Sequence, residues 1–172
     1  MTIAVPATYN IEMKILLVPV AALALAVLAL HGAHAAVPGC PAVAPKPLPS
    51  TAPAGGGELV PTGATSLLLC RYHGLNPAAT ARRLEGMRLV TSGIAQIAAE
   101  FDSLPKLPRG IMACPFDDGS EIVATFRYPH ARADVVDVGL AGCRVVTNGR
   151  LSRTAIGPAG ARLMARLTAL VP

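Results

Sequence analysis

The chain has few of the side chains on which most catalytic and nucleic-acid-binding sites depend. Its 172 residues include no tryptophan, three phenylalanines, three tyrosines and four histidines. Proteins that bind single-stranded nucleic acid stack bases on several aromatic side chains, so this composition argues against a nucleic-acid partner. Only His73 and His130 follow residue 35, and no Gly-x-Ser-x-Gly sequence occurs. We therefore do not expect a hydrolase built on a serine, a histidine and an acid.

Complete metal-ligand patterns are also missing. Cys70-x-x-His73 offers two zinc ligands, but the other two would have to come from cysteines that an oxidising compartment joins as disulfides. The acidic segment 117–121, with sequence DDGSE, lacks the spacing of a calcium-binding EF-hand. A glycosidase pair of Asp117 and Glu121 would rest on these two neighbouring carboxylates alone. We predict no metal, no cofactor and no enzymatic activity.

The first 35 residues have the pattern of a secretory signal peptide. Lys14 precedes the uncharged apolar run Ile15–Leu30, and Ala33–Ala35 then places small residues at the −3 and −1 positions of a cleavage site. The run is shorter than the roughly 20 residues that a membrane-spanning helix needs. We predict that residues 1–35 are removed, that 1–12 are an upstream start-site extension, and that the mature protein is secreted without a membrane anchor.

An alternative fate is lipid attachment at Cys40, which would make the protein a cell-surface lipoprotein. Gly39 precedes Cys40 as that modification requires, but Pro38 does not fit the motif, and Cys40 lies ten residues beyond the apolar run. Lipidation would also leave one of the three other cysteines without a partner. Secretion is therefore the prediction.

Four cysteines follow the signal: Cys40, Cys70, Cys114 and Cys143. An even number in an exported chain predicts two disulfides, with three possible pairings. We favour Cys114–Cys143, because each of these residues flanks a strand of a predicted hairpin, and Cys40–Cys70, which would fasten the N-terminal arm. Closing the loop between Cys114 and Cys143 would stabilise the fold by about 3–4 kcal/mol.

The exported part divides into an arm and a domain. Residues 36–57 are rich in Pro, Ala and Gly and lack periodic apolar positions, which predicts an extended arm. Residues 58–172 suffice for one small domain, expected to be a monomer. The mature net charge is +5, from 14 basic residues, mostly arginines, and 9 acidic ones. Because arginine binds carboxylates and phosphates, we expect a protein partner or an anionic cell-wall component.

Apolar spacing predicts an α+β domain. Helices are predicted near 94–104, capped by Thr91-Ser92, and near 158–170. The predicted strands are 65–72, 83–90, 121–128, 134–140 and 143–146, with 151–154 returning across an Asn148-Gly149 turn. Short hairpins favour a two-layer sandwich, in which an antiparallel sheet of about five strands is covered on one face by two helices and held by two disulfides.

Three segments carry a resemblance to known proteins: LVPTGATSLLLCRY (59–72), CPFDDGSEIVATFRY (114–128) and VGLAGCRVVTNGR (138–150). Together they look like the small secreted or cell-surface proteins of unknown function that are common in actinobacteria. The resemblance implies an exported, disulfide-bonded domain, and it brings no active site with it.

The segment Cys114-Pro115-Phe116 is similar to the subtilisin inhibitor family of the same bacteria, in which a helix precedes a Cys-Pro-hydrophobic segment. This resemblance implies an inhibitory loop of Pro115, Phe116 and Asp117, with Phe116 presented to the protease's primary pocket and Cys143 bracing the loop. The chain departs from the family in its acidic residues after Phe116, its widely spaced first cysteine pair and its final helix. The predicted function is a non-enzymatic binding domain, or alternatively an inhibitor of subtilisin-like serine proteases acting through Cys114–Asp118.

Overall fold

The computed structural model of the chain describes residues 39–48, 57–108, 110 and 112–172. The predicted signal peptide, its cleavage site and part of the predicted arm lie outside these ranges. The described residues form two α-helices and six β-strands. In chain order these are β1 (Ser66–Tyr72), β2 (Leu84–Val90), α1 (Ile94–Asp102), β3 (Glu121–Arg127), β4 (Ala133–Gly139), β5 (Val145–Thr147), β6 (Ser152–Thr154) and α2 (Pro158–Leu170).

The strands form one antiparallel sheet in the order β2-β1-β3-β4-β5-β6. The α+β prediction is therefore confirmed, and the sheet has six strands rather than about five because the short β6 pairs with β5. Between them, the N–H of Leu151 donates to Asn148 Oδ1 at 2.8 Å. Gly149 adopts a φ of 78°, which glycine reaches without a steric penalty. The Asn-Gly sequence thus forms the predicted turn.

Both helices pack on one face of the sheet. Along β3, alternate residues Ile122, Ala124 and Phe126 are fully buried on this face, as period-two alternation predicts. Phe101 of α1 meets Phe126 edge to face, with ring centroids 5.5 Å apart, and Leu163 of α2 joins the same core. Of the helices in the described ranges, neither has the length and apolar content needed to cross a bilayer.

Helix α1 begins differently from the prediction that Thr91-Ser92 caps it. The residue before its first turn is Gly93, and no side chain forms a capping hydrogen bond. Gly93 adopts a left-handed conformation with φ of 69°, so Ser92 lies one position too early for its hydroxyl to serve as the cap. The helix ends at Asp102, short of the predicted end near Leu104, although Leu104 is still buried.

The arm residues 39–48 lie on the opposite face of the sheet from the helices. The N–H of Ala44 donates to the Arg82 carbonyl at 2.8 Å, and the N–H of Leu84 donates to the Ala42 carbonyl at 3.0 Å. The arm therefore runs alongside the residues that lead into β2. Ala44 is buried in a second apolar cluster, whose other buried members are Leu68, Cys70, Tyr72 and Val123. The sheet thus has apolar contacts on both faces.

Both favoured disulfides are confirmed. Cys40 is bonded to Cys70, with 5.6 Å between their Cα atoms, and this bond fastens the arm to β1. Cys114 is bonded to Cys143, with 4.9 Å between their Cα atoms, and this bond joins the loop before β3 to the turn before β5. All four cysteines are described and none is free. Cys70 is therefore not available as a zinc ligand beside His73.

We expect Asp102→Ala to lower the free energy of unfolding by about 1–3 kcal/mol, because it leaves buried donors without an acceptor. Asp102 Oδ1 accepts the N–H groups of Leu59 at 2.6 Å and Val60 at 3.2 Å, and both residues are fully buried. Urea unfolding would measure the change. Glu58→Ala, which removes an exposed acidic side chain beside them, is the matched control. Equal unfolding midpoints for the two variants would contradict the prediction.

Candidate functional site

The loop predicted for the alternative inhibitory function, Cys114–Asp118, lies in the connection that leads into β3. The residues from Met112 to Ser120 have no regular secondary structure. At the centre of the loop, the side chain of Phe116 is 80% exposed, more than any other large apolar side chain in the described ranges. Burying a phenylalanine is worth about 1.5–3 kcal/mol, so a partner that covered this side chain would gain that free energy.

Three contacts from outside the loop hold it in place. The disulfide to Cys143 lies on the N-terminal side of Phe116. The N–H of Gly142 donates to the carbonyl of Phe116 itself at 3.2 Å. On the C-terminal side, the N–H of Leu75 donates to the Asp118 carbonyl at 2.7 Å. The backbone on both sides of Phe116 is thus fixed while the side chain remains free.

The two acidic residues after Phe116 form hydrogen bonds within the turn. Asp117 Oδ1 accepts the N–H of Gly119 at 2.9 Å. Asp118 Oδ1 accepts the Ser120 hydroxyl at 2.6 Å and the Ser120 N–H at 2.8 Å. These bonds from the Ser120 side chain and backbone lower the pKa of Asp118. The carboxylates therefore shape the approach to β3.

Gly142 permits the close approach between the loop and the turn before β5. It has a φ of 62°, and a Cβ added there would lie 2.7 Å from the Cβ of Asp117. A larger residue at position 142 would push the loop away and break the hydrogen bond to the Phe116 carbonyl. The position of Phe116 therefore depends on a glycine that is distant in sequence.

An open groove of about 650 Å³ lies beside Phe116. One wall is the loop itself, and the other walls come from the turn after β4 and from the residues that begin α2. Most of the lining is apolar. The lining residues are Pro115, Phe116, Leu140, Ala141, Gly142, Arg144, Ile156, Gly157, Pro158 and Ala161.

The remaining residues considered for chemistry are not brought together. His130 is exposed in the β3–β4 connection with a φ of 63°, and His73 is half-buried after the end of β1. Across the described residues, no group of three or more His, Cys, Asp or Glu side chains forms a cluster able to hold a metal ion.

Glu121 was considered above as the partner of Asp117 in a glycosidase pair, but the charged residues near it are different ones. Glu121 Oε1 lies 3.1 Å from Arg82 Nη2, on the arm face of the sheet. Asp137 lies on the same face, because it pairs with Val123, two residues along β3 from Glu121. The residues Glu121 and Asp137 are each 8% exposed. This buried acidic pair has no signal in the local sequence, since the arm that covers it is distant along the chain.

The arm provides polar contacts to this pair. The N–H of Leu48 donates to Asp137 Oδ2 at 2.6 Å, and Arg82 Nη2 also donates to the Pro45 carbonyl at 2.6 Å. Burial, with a smaller contribution from Asp137, raises the pKa of Glu121 despite the attraction of Arg82. Burial likewise raises the pKa of Asp137 despite the bond from Leu48. We interpret the cluster as the polar contact that holds the arm.

We expect Asp137→Asn to gain stability relative to the natural chain as pH rises from about 4 to 7. A carboxyl group with a raised pKa in the folded state holds its proton more tightly there, so its ionisation at higher pH disfavours folding. An asparagine does not ionise and can still accept the Leu48 N–H. Urea unfolding at several pH values would measure the difference.

Asp118→Asn provides a control of opposite sign, because the pKa of Asp118 is lowered. It should lose stability relative to the natural chain as pH rises to about 5 from the acid side, because the folded carboxyl ionises at lower pH than the unfolded one. The effect should be smaller than for Asp137 because Asp118 is partly exposed to solvent. Parallel pH profiles for Asp137→Asn and the natural chain would contradict the prediction.

No protein-family model, no curated protein and no solved structure compared with this chain matches it, so no family is assigned.

Proposed function

We propose that this is an exported, disulfide-stabilised binding domain without enzymatic activity, which contacts a partner protein through the Cys114–Asp118 loop. The observation that carries the proposal is the exposed side chain of Phe116 on a backbone that is fixed on both sides. Aromatic side chains that are buried at the centre of an interface contribute a large share of binding energy.

The fixed backbone favours binding because little conformational freedom is lost when the partner docks. A flexible loop must be ordered at a cost of about 1–2 kcal/mol for each residue. Here the disulfide to Cys143 and the hydrogen bonds from Gly142 and Leu75 order the loop before binding. The free energy gained by burying Phe116 is therefore not offset by the cost of ordering the loop.

The two disulfides support export. Such bonds form and persist in secreted, periplasmic and cell-surface proteins and are rare in the cytosol. Both bonds tie irregular segments, the arm and the loop, to the sheet. An oxidising compartment would therefore preserve the geometry on which binding depends.

We expect Phe116→Ala to weaken binding of the partner protein more than tenfold, because a buried phenylalanine is worth about 1.5–3 kcal/mol. Immobilised natural protein would capture the partner from culture supernatant and envelope extracts. Mass spectrometry would identify it, and the dissociation constant would be measured with the purified partner. Met87→Ala is the matched control, since Met87 is 55% exposed on β2, in another part of the sheet. Equal binding by both variants would contradict the proposal.

A second candidate function is inhibition of subtilisin-like serine proteases through the same loop. The irregular backbone around Phe116 and the bracing disulfide at Cys114 favour it, because substrate-like inhibitors present a rigid loop to the protease. A phenylalanine suits the hydrophobic primary pocket of a chymotrypsin-like enzyme. Asp117 would follow the scissile bond, and one of its carboxylate oxygens accepts a hydrogen bond from Gly119.

For this second function we expect stoichiometric inhibition of subtilisin or chymotrypsin, measured by titration against a chromogenic substrate. Phe116→Ala should abolish inhibition and Met87→Ala should retain it. Phe116→Lys should shift inhibition toward trypsin, whose primary pocket is acidic. If no protease is inhibited, this second function is excluded, and the binding proposal is tested separately by partner capture.

A further inference from the structure

We infer that the groove beside Phe116 binds an extended acidic segment of the partner protein. An apolar side chain of that segment would lie between Phe116 and Ile156, and a carboxylate beside it would pair with Arg144. The inference rests on the proposed function, because Phe116 belongs to both the loop and the groove.

The apolar part of this inference rests on two exposed side chains. Phe116 is 80% exposed and Ile156, which precedes α2, is 53% exposed. Both line the same groove, together with the half-buried Leu140. Apolar side chains left in solvent around one groove are typical of an interaction surface. A partner's apolar side chain placed between Phe116 and Ile156 would shield these two side chains and itself from water.

The charged part rests on Arg144, the one charged residue that lines the groove in the described structure. Its side chain is exposed, and no acidic side chain in the described ranges lies within ion-pair distance of it. Its backbone is held in place, because its N–H donates to Ala141 at 3.1 Å and its carbonyl accepts from Ala155 at 2.9 Å. An exposed arginine on a fixed backbone, next to an apolar surface, is complementary to a carboxylate next to an apolar side chain.

The openness of the groove favours a protein segment over a small molecule. Small-molecule sites enclose most of the ligand surface, whereas this groove lies open beside the loop that carries Phe116. A partner docked on Phe116 would therefore also cover the groove. The net charge of +5 adds a long-range attraction for an acidic partner.

A charge-swap selection tests the inference. A phage-displayed library of random dodecapeptides would be panned against the natural protein and against Arg144→Glu. We expect the natural protein to enrich peptides with Asp or Glu beside a large apolar residue, and Arg144→Glu to enrich Lys or Arg at that position instead. Arg162→Glu is the matched control, because Arg162 is an exposed arginine of α2 outside the groove. It should keep the acidic preference.

The best peptide would then be synthesised, and its affinity measured by fluorescence polarisation. We expect Arg144→Glu and Ile156→Ser each to weaken it at least tenfold, and Arg162→Glu to leave it unchanged within about twofold. Circular dichroism and urea unfolding would establish that the variants are folded. Weakening in a folded variant would support the assigned contacts.

Three outcomes would overturn the inference. The first is failure to enrich any acidic-apolar peptide, and the second is enrichment that survives both Arg144→Glu and Ile156→Ser. If binding of the enriched peptides or of the captured partner is still weakened by Phe116→Ala, the proposed function stands and only the assignment of the groove is wrong. The third is a dimer in sedimentation experiments that Ile156→Ser dissociates, because a second copy of the chain would then occupy the groove.

Discussion

The pairing of β3 with β1 on one side and β4 on the other determines where the helices, the arm and the Cys114–Asp118 loop lie. In this register Leu67 faces Phe126 and Val138 faces Ile122, so one set of alternate side chains meets the helices. The other set, including Val123 and Asp137, faces the arm. A shift by one residue would exchange the two faces and place carboxylates in the apolar core. The register also brings the start of β3 to the end of β4, where the loop and the β4–β5 turn meet.

Much of this architecture is readable from local sequence. Three local patterns each specify an element with few contacts from distant residues, and the structure contains all three elements. These patterns are the alternation along 121–128, the helical spacing of apolar residues and the Asn148-Gly149 pair. The cysteine pairing also followed from local features, since each favoured pair connects a defined strand or hairpin to an irregular segment. The inhibitory role of Phe116 came only from the resemblance of Cys114-Pro115-Phe116 to the subtilisin inhibitor family, and it stays a prediction.

Other features depend on contacts between distant residues and have no local signal. Glu121 has the alternation of a solvent-facing position, yet it is buried because the arm and Arg82 cover it. Leu48 and Asp137 are 89 residues apart. The predicted cap of α1 was wrong for a different reason. Both Ser92 and Gly93 are acceptable caps, and only the backbone geometry selects between them. Nothing in the local sequence indicated that Arg144 would line the groove.

The arm and the Cys114–Asp118 loop, the two irregular segments that the disulfides tie down, differ in their contacts. The arm fills one face of the sheet and is held by Cys40 and by buried polar groups. The loop contributes little to the core and leaves its largest side chain in solvent. The same type of covalent bond thus supports packing at one site and presentation of a side chain at the other.

Covering both faces of the sheet limits how the domain can be approached. The helices occupy one face and the arm part of the other, and the outer strand β6 is partly shielded because the N–H of Thr154 donates to the Pro105 carbonyl. The Cys114–Asp118 loop lies outside these covered faces, where β3 begins and β4 ends, so under the proposed function a partner docked on Phe116 would meet the domain at that end of the sheet.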